Sequence, residues 1–140
     1  MEIEARISQI LFDQADAIAL VLENTAGDQV VSIYVGYYEA AAIAREMEQV
    51  VPLRPQTHDL MKGLLFCLGA AVRSIVITGL KDGTFYALVR IDNNGKTIWL
   101  DSRPSDAIAL ALRMHCPIYV QENLLSPVLD QSEGTRFPAQ

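Results

Sequence analysis

The chemically richest stretch of this 140-residue chain is residues 101–106 (DSRPSD). Asp101 ends a predicted strand, Arg103 lies in the following turn, and Asp106 begins an apolar helix. Carboxylates of this kind can bind a divalent cation, and a guanidinium can bind a phosphate through two hydrogen bonds. The same residue types also cap free helix amides and neutralise one another. The spacing alone therefore leaves a chemical and a purely structural interpretation open.

Two more predicted helix starts and one predicted turn carry side chains of similar chemistry. His58 and Asp59 are adjacent in the sequence THDL, where a histidine beside a carboxylate could carry protons or bind a metal. A histidine at a helix start is equally consistent with an ordinary surface residue. Glu39 follows a strand at the equivalent junction of the first half, and Lys81 lies in the hairpin signal KDG.

The positions of these residues depend on the elements around them. Alternating apolar and polar residues predict strands, and apolar residues at helical spacing predict helices. The predicted strands cover residues 2–8, 17–23, 30–35, 72–78, 84–92, 96–101 and 117–121, and the predicted helices cover 38–49, 57–68 and 105–114. Asn94 and Gly95 form the strongest turn signal, because a type I′ hairpin needs positive φ at both positions. Thr57 is the predicted N-cap of the middle helix.

A weak internal repeat links the two halves of the chain at an offset of 65 residues. Residues 33–35 (IYV) and 98–100 (IWL) each end a predicted hairpin. Residues 42–44 and 107–109 both read AIA in the helix that follows. This order predicts an α+β fold of duplicated β-hairpin-plus-helix units with a mixed or antiparallel sheet.

The composition fits one folded domain. The chain is 51% hydrophobic and 20% charged, which excludes a disordered chain and favours a large core or a subunit interface. Its net charge of −6 argues against a basic coat protein for nucleic acid. Residues 54–113 nevertheless contain eight bases and five acids. Either these charges are scattered over solvated faces without a function, or one face tolerates an anionic ligand. We expect one domain over residues 1–128 and a loose polar tail over 129–140.

Location and assembly follow from coarser features. The chain has no apolar run of about 18 residues, so no membrane span is expected. Its N-terminus is acidic and alternating, unlike a signal peptide, and Cys67 and Cys116 lack metal-ligand spacing. These features predict a cytoplasmic protein with reduced thiols. The apolar fraction and the aromatic residues near the junctions predict a homodimer or a higher homo-oligomer.

The motifs described above resemble those of the bifunctional nuclease family, and the run RPSDAIALA is its most specific part. The resemblance covers roughly residues 1–128, and its matching stretches are Ile33–Ala44, Arg54–Leu60, Leu80–Tyr86, Asp101–Leu112 and Pro117–Val120. It implies an α+β fold, oligomeric assembly, and cleavage of both DNA and RNA.

The resemblance also implies a scheme for phosphodiester hydrolysis. The implied catalytic residues are Glu39, His58, Asp59, Arg103 and Asp106. Among these, His58 is the leading candidate for proton carrier. The implied phosphate ligands are Arg103 and Lys81, and the implied ligands of Mg²⁺ or Mn²⁺ are Asp59, Asp101 and Asp106.

One geometric expectation follows from this scheme, and one rival interpretation stands against it. Arg103 and Asp106 should lie near His58 or Asp59 in the folded chain, because both motifs begin helices and helix N-termini favour anions. In the rival interpretation the protein is a non-catalytic oligomeric binding module. Its polar motifs are then helix caps and subunit contacts.

Overall fold

Nine strands and three α-helices make up the part of the chain that the computed structural model describes, residues 1–13, 15–128 and 135–136. The strands are β1 (Glu2–Phe12), β2 (Ile18–Asn24), β3 (Gln29–Val35), β4 (Ala70–Lys81), β5 (Thr84–Asn93), β6 (Lys96–Ser102), β7 (Ile118–Gln121), β8 (Ser126–Pro127) and β9 (Thr135–Arg136). The helices are α1 (Tyr37–Met47), α2 (Thr57–Cys67) and α3 (Pro104–Met114), and a short 3₁₀ helix follows at Glu122–Leu124.

All nine described strands belong to one mixed sheet. Its order is β6-β5-β4-β7-β1-β2-β3-β8, with β9 beside β1. The pairing of β4 with β7 is parallel, and the other described pairings are antiparallel. The predicted α+β class with a mixed sheet is therefore confirmed.

Tight hairpins set the register of the sheet. Asn94 and Gly95 have φ values of 52° and 81°, as a type I′ turn requires, and they join β5 to β6. Asp82 and Gly83 repeat this geometry between β4 and β5, with φ values of 51° and 78°. Both turn predictions are confirmed. Glycine, asparagine and aspartate are the residues that adopt positive φ with the least strain, and they occupy these four turn positions.

The predicted order of hairpin and then helix occurs in both halves. The β2–β3 hairpin leads into α1, and the β5–β6 hairpin leads into α3. One predicted cap is wrong: Gln56 is the N-cap of α2, and Thr57 is already its first helical residue. The predicted polar tail at 129–140 lies outside the described residues, apart from the backbone of 135–136. Among the described residues, no helix is long and apolar enough to cross a membrane.

The core lies between the sheet and a layer of helices in which α3 contacts both α1 and α2. Its central helix carries small, fully buried side chains at Ala107, Ala109 and Ala111, which allow the backbone of α3 to approach its neighbours closely. Ile108 packs among the apolar side chains of the same core cluster. Burial around α3 confirms the prediction from its apolar circumference.

A buried arginine ties the helical layer together. The Arg113 side chain is 4% exposed, and its Nε donates to Asp59 Oδ1 of α2 over 2.8 Å. Its terminal nitrogens donate to the main-chain oxygen of Ala109 in α3 and of Ala42 in α1. Because one side chain supplies donors to all three helices, it holds them in a fixed arrangement.

Replacing this arginine should destabilise the protein more than removing an exposed ion pair. We expect Arg113→Met to lower the free energy of unfolding by about 3 kcal/mol, because it leaves a carboxylate and buried carbonyls without their donor. The matched control is Arg73→Met, which removes the exposed pair with Asp92 and should cost less than about 1 kcal/mol. Urea unfolding measures both, and equal losses would contradict the role given to Arg113.

Candidate functional site

Four polar side chains from the starts of the three helices meet at one point. Glu39 lies in the first turn of α1, His58 is the second residue of α2, and Asp106 lies in the first turn of α3. Arg103 is the N-cap residue of α3. We call these four residues the helix-start cluster. The expected proximity of the THDL and DSRPSD motifs is present, although 48 residues separate His58 from Asp106.

Asp106 is the centre of the cluster. Its two oxygens accept hydrogen bonds from Arg103, at 2.8 Å from Nε and 3.2 Å from a terminal nitrogen. Its Oδ1 also lies 3.0 Å from Nε2 of His58. Burial by itself would raise the pKa of the Asp106 carboxyl, but the hydrogen bonds from Arg103 and His58 outweigh it and hold that pKa below its usual value. The carboxylate is therefore ionised at neutral pH.

Arg103 connects α3 with α1 while remaining open to solvent. Its side chain is 63% exposed, and one terminal nitrogen donates to Glu39 Oε1 over 3.3 Å. Hydrogen bonding to Asp106 raises the pKa of the guanidinium, which keeps it charged. The carboxylate of Glu39 folds back over Gly36, where a Cβ atom would lie 2.6 Å from Oε2. Glycine at this junction makes room for the carboxylate that Arg103 binds.

His58 is the buried member of the cluster, with 7% of the residue exposed. An ionised Asp106 can only accept hydrogen bonds, so Nε2 of His58 carries a proton and donates a hydrogen bond to the carboxylate. This hydrogen bond fixes the tautomer and the orientation of the ring. The geometry pairs His58 with Asp106, and a pair of this kind can exchange a proton with a bound water or substrate.

Asp59 is adjacent to His58 in sequence but faces a different partner. Its Oδ2 accepts the main-chain N–H of Gln56 over 2.9 Å, and its Oδ1 accepts Nε of Arg113. The hydrogen bond from Gln56 is the main cause that lowers the pKa of Asp59. The carboxylate thus binds both the start of α2 and the arginine that holds the helices together.

Asp101 and Lys81 lie apart from the helix-start cluster. Ser102 pairs with the buried Ala87 on the sheet face that the helices cover, and adjacent strand residues point to opposite faces. Asp101 therefore points to the other face. Lys81 ends β4 at the β4–β5 turn and is exposed. Neither residue makes a hydrogen bond or an ion pair with the cluster.

The described residues do not form a preorganised metal-binding site. Among them, no group of three or more His, Cys, Asp or Glu side chains could hold a metal ion. Both oxygens of Asp106 face Arg103 or His58, and both oxygens of Asp59 are already bound by hydrogen-bond donors. Of the three carboxylates predicted as Mg²⁺ or Mn²⁺ ligands, Asp59 and Asp106 are thus neutralised by protein groups and Asp101 lies apart from them, so this donor set does not fit the cation.

Arg113 is a site residue that the sequence motifs do not indicate. Its signal was the one charge in the otherwise apolar run from Ala107 to Met114, and a charge in such a place needs a buried partner. Asp59 supplies that partner. By holding α2 against α3, this pair also brings His58 to Asp106.

Acid should destabilise the protein partly through Asp106. Its pKa in the folded protein lies below the ordinary value of an aspartate, so its stabilising contacts are complete above that ordinary value and are lost as the pH falls through the folded one. We expect Asp106→Asn to lose less unfolding free energy than the wild type between pH 5 and about 3. Urea unfolding at several pH values measures this, and identical pH slopes would contradict it.

Comparison with known proteins points to one family. The family model described as the bifunctional nuclease domain matches residues 20–132. The chain is 42% identical to an uncharacterized protein of Mycobacterium tuberculosis over 124 residues, which cover 88% of this chain and 74% of that protein. It is 31% identical to bifunctional nuclease 1 of Oryza sativa subsp. indica over 118 residues, covering 81% and 36% of the two chains.

A further plant relative agrees with this assignment. The chain is 29% identical to bifunctional nuclease 1 of Arabidopsis thaliana over 111 residues, which cover 77% of this chain and 34% of the plant protein. The family match includes α1, α2 and α3 with all four residues of the helix-start cluster. The chain belongs to the bifunctional nuclease domain family.

Proposed function

We propose that this protein hydrolyses phosphodiester bonds of DNA and RNA at the helix-start cluster. The observation that carries the proposal is the exposed guanidinium of Arg103 at the point where the starts of three helices meet. Helix N-termini carry partial positive charge and free N–H groups, which favour anions. The family and its plant nucleases support the same class of reaction.

The first step in the proposed reaction is phosphate binding by Arg103. Its side chain already binds two carboxylates, Glu39 and Asp106, in a charge-assisted geometry that a phosphate can replace. A guanidinium fits two oxygens of one phosphate, and its charge stabilises the negative charge that develops during hydrolysis. Arg103 is therefore assigned to bind the phosphate. Glu39 is assigned to orient the Arg103 guanidinium before the phosphate binds.

The second step is proton transfer from the attacking water. The His58 ring accepts the proton of the attacking water, Asp106 stabilises the resulting imidazolium through their hydrogen bond, and the ring then returns the proton to the leaving oxygen. Asp59 does not face this pair, so its role in the proposal is to position His58 through α2. A site that binds phosphate and leaves the 2′-OH and base edges unread would accept both DNA and RNA.

A non-catalytic binding module is the second candidate. The observation that favours it is that the hydrogen-bonding groups of the cluster already bind one another: each carboxylate accepts a hydrogen bond from a donor of the protein itself. The net charge of −6 also opposes binding of a polyanion in general. In this alternative, the cluster serves only to lock the three helix starts together.

A single isosteric change separates these two candidates. Asp106→Asn should lower the rate of DNA and RNA cleavage at least about 100-fold, because a neutral amide cannot stabilise the positive charge that forms on His58 when it accepts a proton. Its stability should fall by only about 1 kcal/mol at pH 7. Cleavage of labelled DNA and RNA and thermal melting are measured on the same purified sample.

The matched control is Asp92→Asn, which makes the same chemical change at an exposed ion pair with Arg73. It should leave cleavage unchanged, which would show that a loss of cleavage in Asp106→Asn is specific to the helix-start cluster. Full activity in Asp106→Asn would remove the carboxylate from the reaction, whereas a purified wild type that cleaves neither DNA nor RNA would favour the binding module.

Arginine geometry gives a separate prediction. Arg103→Lys keeps the charge but cannot bind two phosphate oxygens in parallel, so cleavage should fall by about tenfold or more. Inorganic phosphate should also protect the wild type against thermal unfolding more than it protects this variant. Equal activity and equal protection in the two proteins would contradict a phosphate-binding role.

Metal assistance of the proposed hydrolysis is tested by removing divalent cations. Loss of cleavage in EDTA with recovery in Mg²⁺ or Mn²⁺ would support the metal assistance inferred from the resemblance, and full activity in EDTA would overturn it.

The proposed location rests on the cysteines. The described cysteines Cys67 and Cys116 are unpaired. Burial raises the pKa of Cys116 to about 11, which keeps it a thiol. The unpaired state of the two cysteines supports action in the reducing cytoplasm.

A further inference from the structure

The outer edge of β6 is open and apolar. This strand ends the sheet, and no described strand pairs with its outer side. Ile98, Trp99 and Leu100 at its centre are 45%, 51% and 51% exposed. An edge of this kind, without a charge at its centre, offers unpaired main-chain groups and apolar side chains to another strand.

The β5–β6 hairpin fixes which groups of β6 point outward. Its two-residue turn makes Asn93 and Lys96 a hydrogen-bonded pair, so every second residue from Lys96 directs its N–H and C=O toward β5. The N–H and C=O groups of Thr97, Trp99 and Asp101 therefore point to the open edge. The side chains of successive residues on β6 point to opposite faces of the sheet.

The side chains of β6 extend the two faces of the sheet. Ile98 and Leu100 pair with Ile91 and Val89, which face the helices. They therefore continue the helix-covered face outward, whereas Trp99 belongs to the opposite face. Both faces of the open edge are thus apolar at the centre of the strand.

We propose that β6 pairs antiparallel with β6 of a second copy of this chain, around a two-fold axis at Trp99. This register places Trp99 opposite Trp99 and Ile98 opposite Leu100 of the other copy. A shift of the pairing by two positions would place Lys96 opposite Leu100, or Asp101 opposite Trp99. The centred register is therefore the one in which apolar residues meet apolar residues.

The same register completes the candidate site, and this part rests on the proposed function. It places Lys96 of the second copy directly opposite Ser102, on the helix-covered face and next to Arg103. Lys96 is exposed and binds no carboxylate among the described residues. Within one copy, the cluster has two carboxylates, Glu39 and Asp106, against one guanidinium. A lysine from the second copy would balance these charges and favour an incoming phosphate.

Disulfide trapping tests the register without reference to activity. In a Cys67→Ser background, Trp99→Cys should form a linked dimer under mild oxidation, because residues facing each other in a hydrogen-bonded pair lie about 5.5 Å apart. Thr97→Cys is the matched control, since two such residues would be about 14 Å apart along the strands. Linking at 97 and not at 99 would overturn the register.

Sedimentation of the unmodified chain tests the dimer itself. We expect a dimer at micromolar concentration for the wild type and a monomer for Trp99→Glu, which places two like charges opposite each other at the axis. Tyr34→Glu alters another exposed aromatic strand residue, 68% exposed on β3, and should leave the dimer intact. A monomeric wild type, or a dimeric Trp99→Glu, would overturn the proposal.

Mixing of variants tests the contribution of Lys96 across the interface. Lys96→Ala and Arg103→Ala should each be weak nucleases, and after subunit exchange at equal amounts about a quarter of the sites should have both residues restored. Recovery of about a quarter of the wild-type rate supports Lys96 of the second copy in the site. Loss of activity in Lys96→Ala without recovery would overturn this contribution. Trapping at residue 99 with no cleavage in any variant would refute the nuclease and leave the dimer standing.

Discussion

The buried ion pair between Arg113 and Asp59 is the interaction on which the arrangement of the helices depends. A charge that is 4% exposed needs a partner, and Asp59 of α2 supplies it over 2.8 Å. The same guanidinium donates to the main chain of α1 and α3, so the three helices share one donor group. Since Asp59 follows His58 in the chain, fixing this carboxylate also fixes the ring that faces Asp106.

The candidate site is built from competing charges. Arg103 binds both Glu39 and Asp106, so a phosphate has to displace one of these carboxylates or share the guanidinium with it. This competition costs binding energy, but it also orients the guanidinium before the substrate arrives. The partial positive charges of three helix starts oppose the excess of carboxylates, and a lysine from a second copy would oppose it further.

The two halves of the chain use the same junction differently. In the first half, Gly36 precedes α1 and leaves room for the Glu39 carboxylate above its own main chain. In the second half, Arg103 occupies the cap position of α3 and reaches across to that carboxylate. A repeated hairpin-plus-helix unit thus supplies an acceptor from one junction and a cation from the other, which makes the site asymmetric although the element order repeats.

Local sequence determined the hairpins and the burial of α3, because positive φ at Asn94 and Gly95 and an apolar helix circumference are properties of neighbouring residues. It also marked the polar residues at the helix starts. Only the tertiary structure decided which of them meet. His58 reaches Asp106 across 48 residues, while Asp59 turns to Arg113, and Asp101 points to the opposite face of the sheet. The spacing of residues along a chain records their order, whereas contacts between distant residues depend on how helices pack and on which face of a strand is covered.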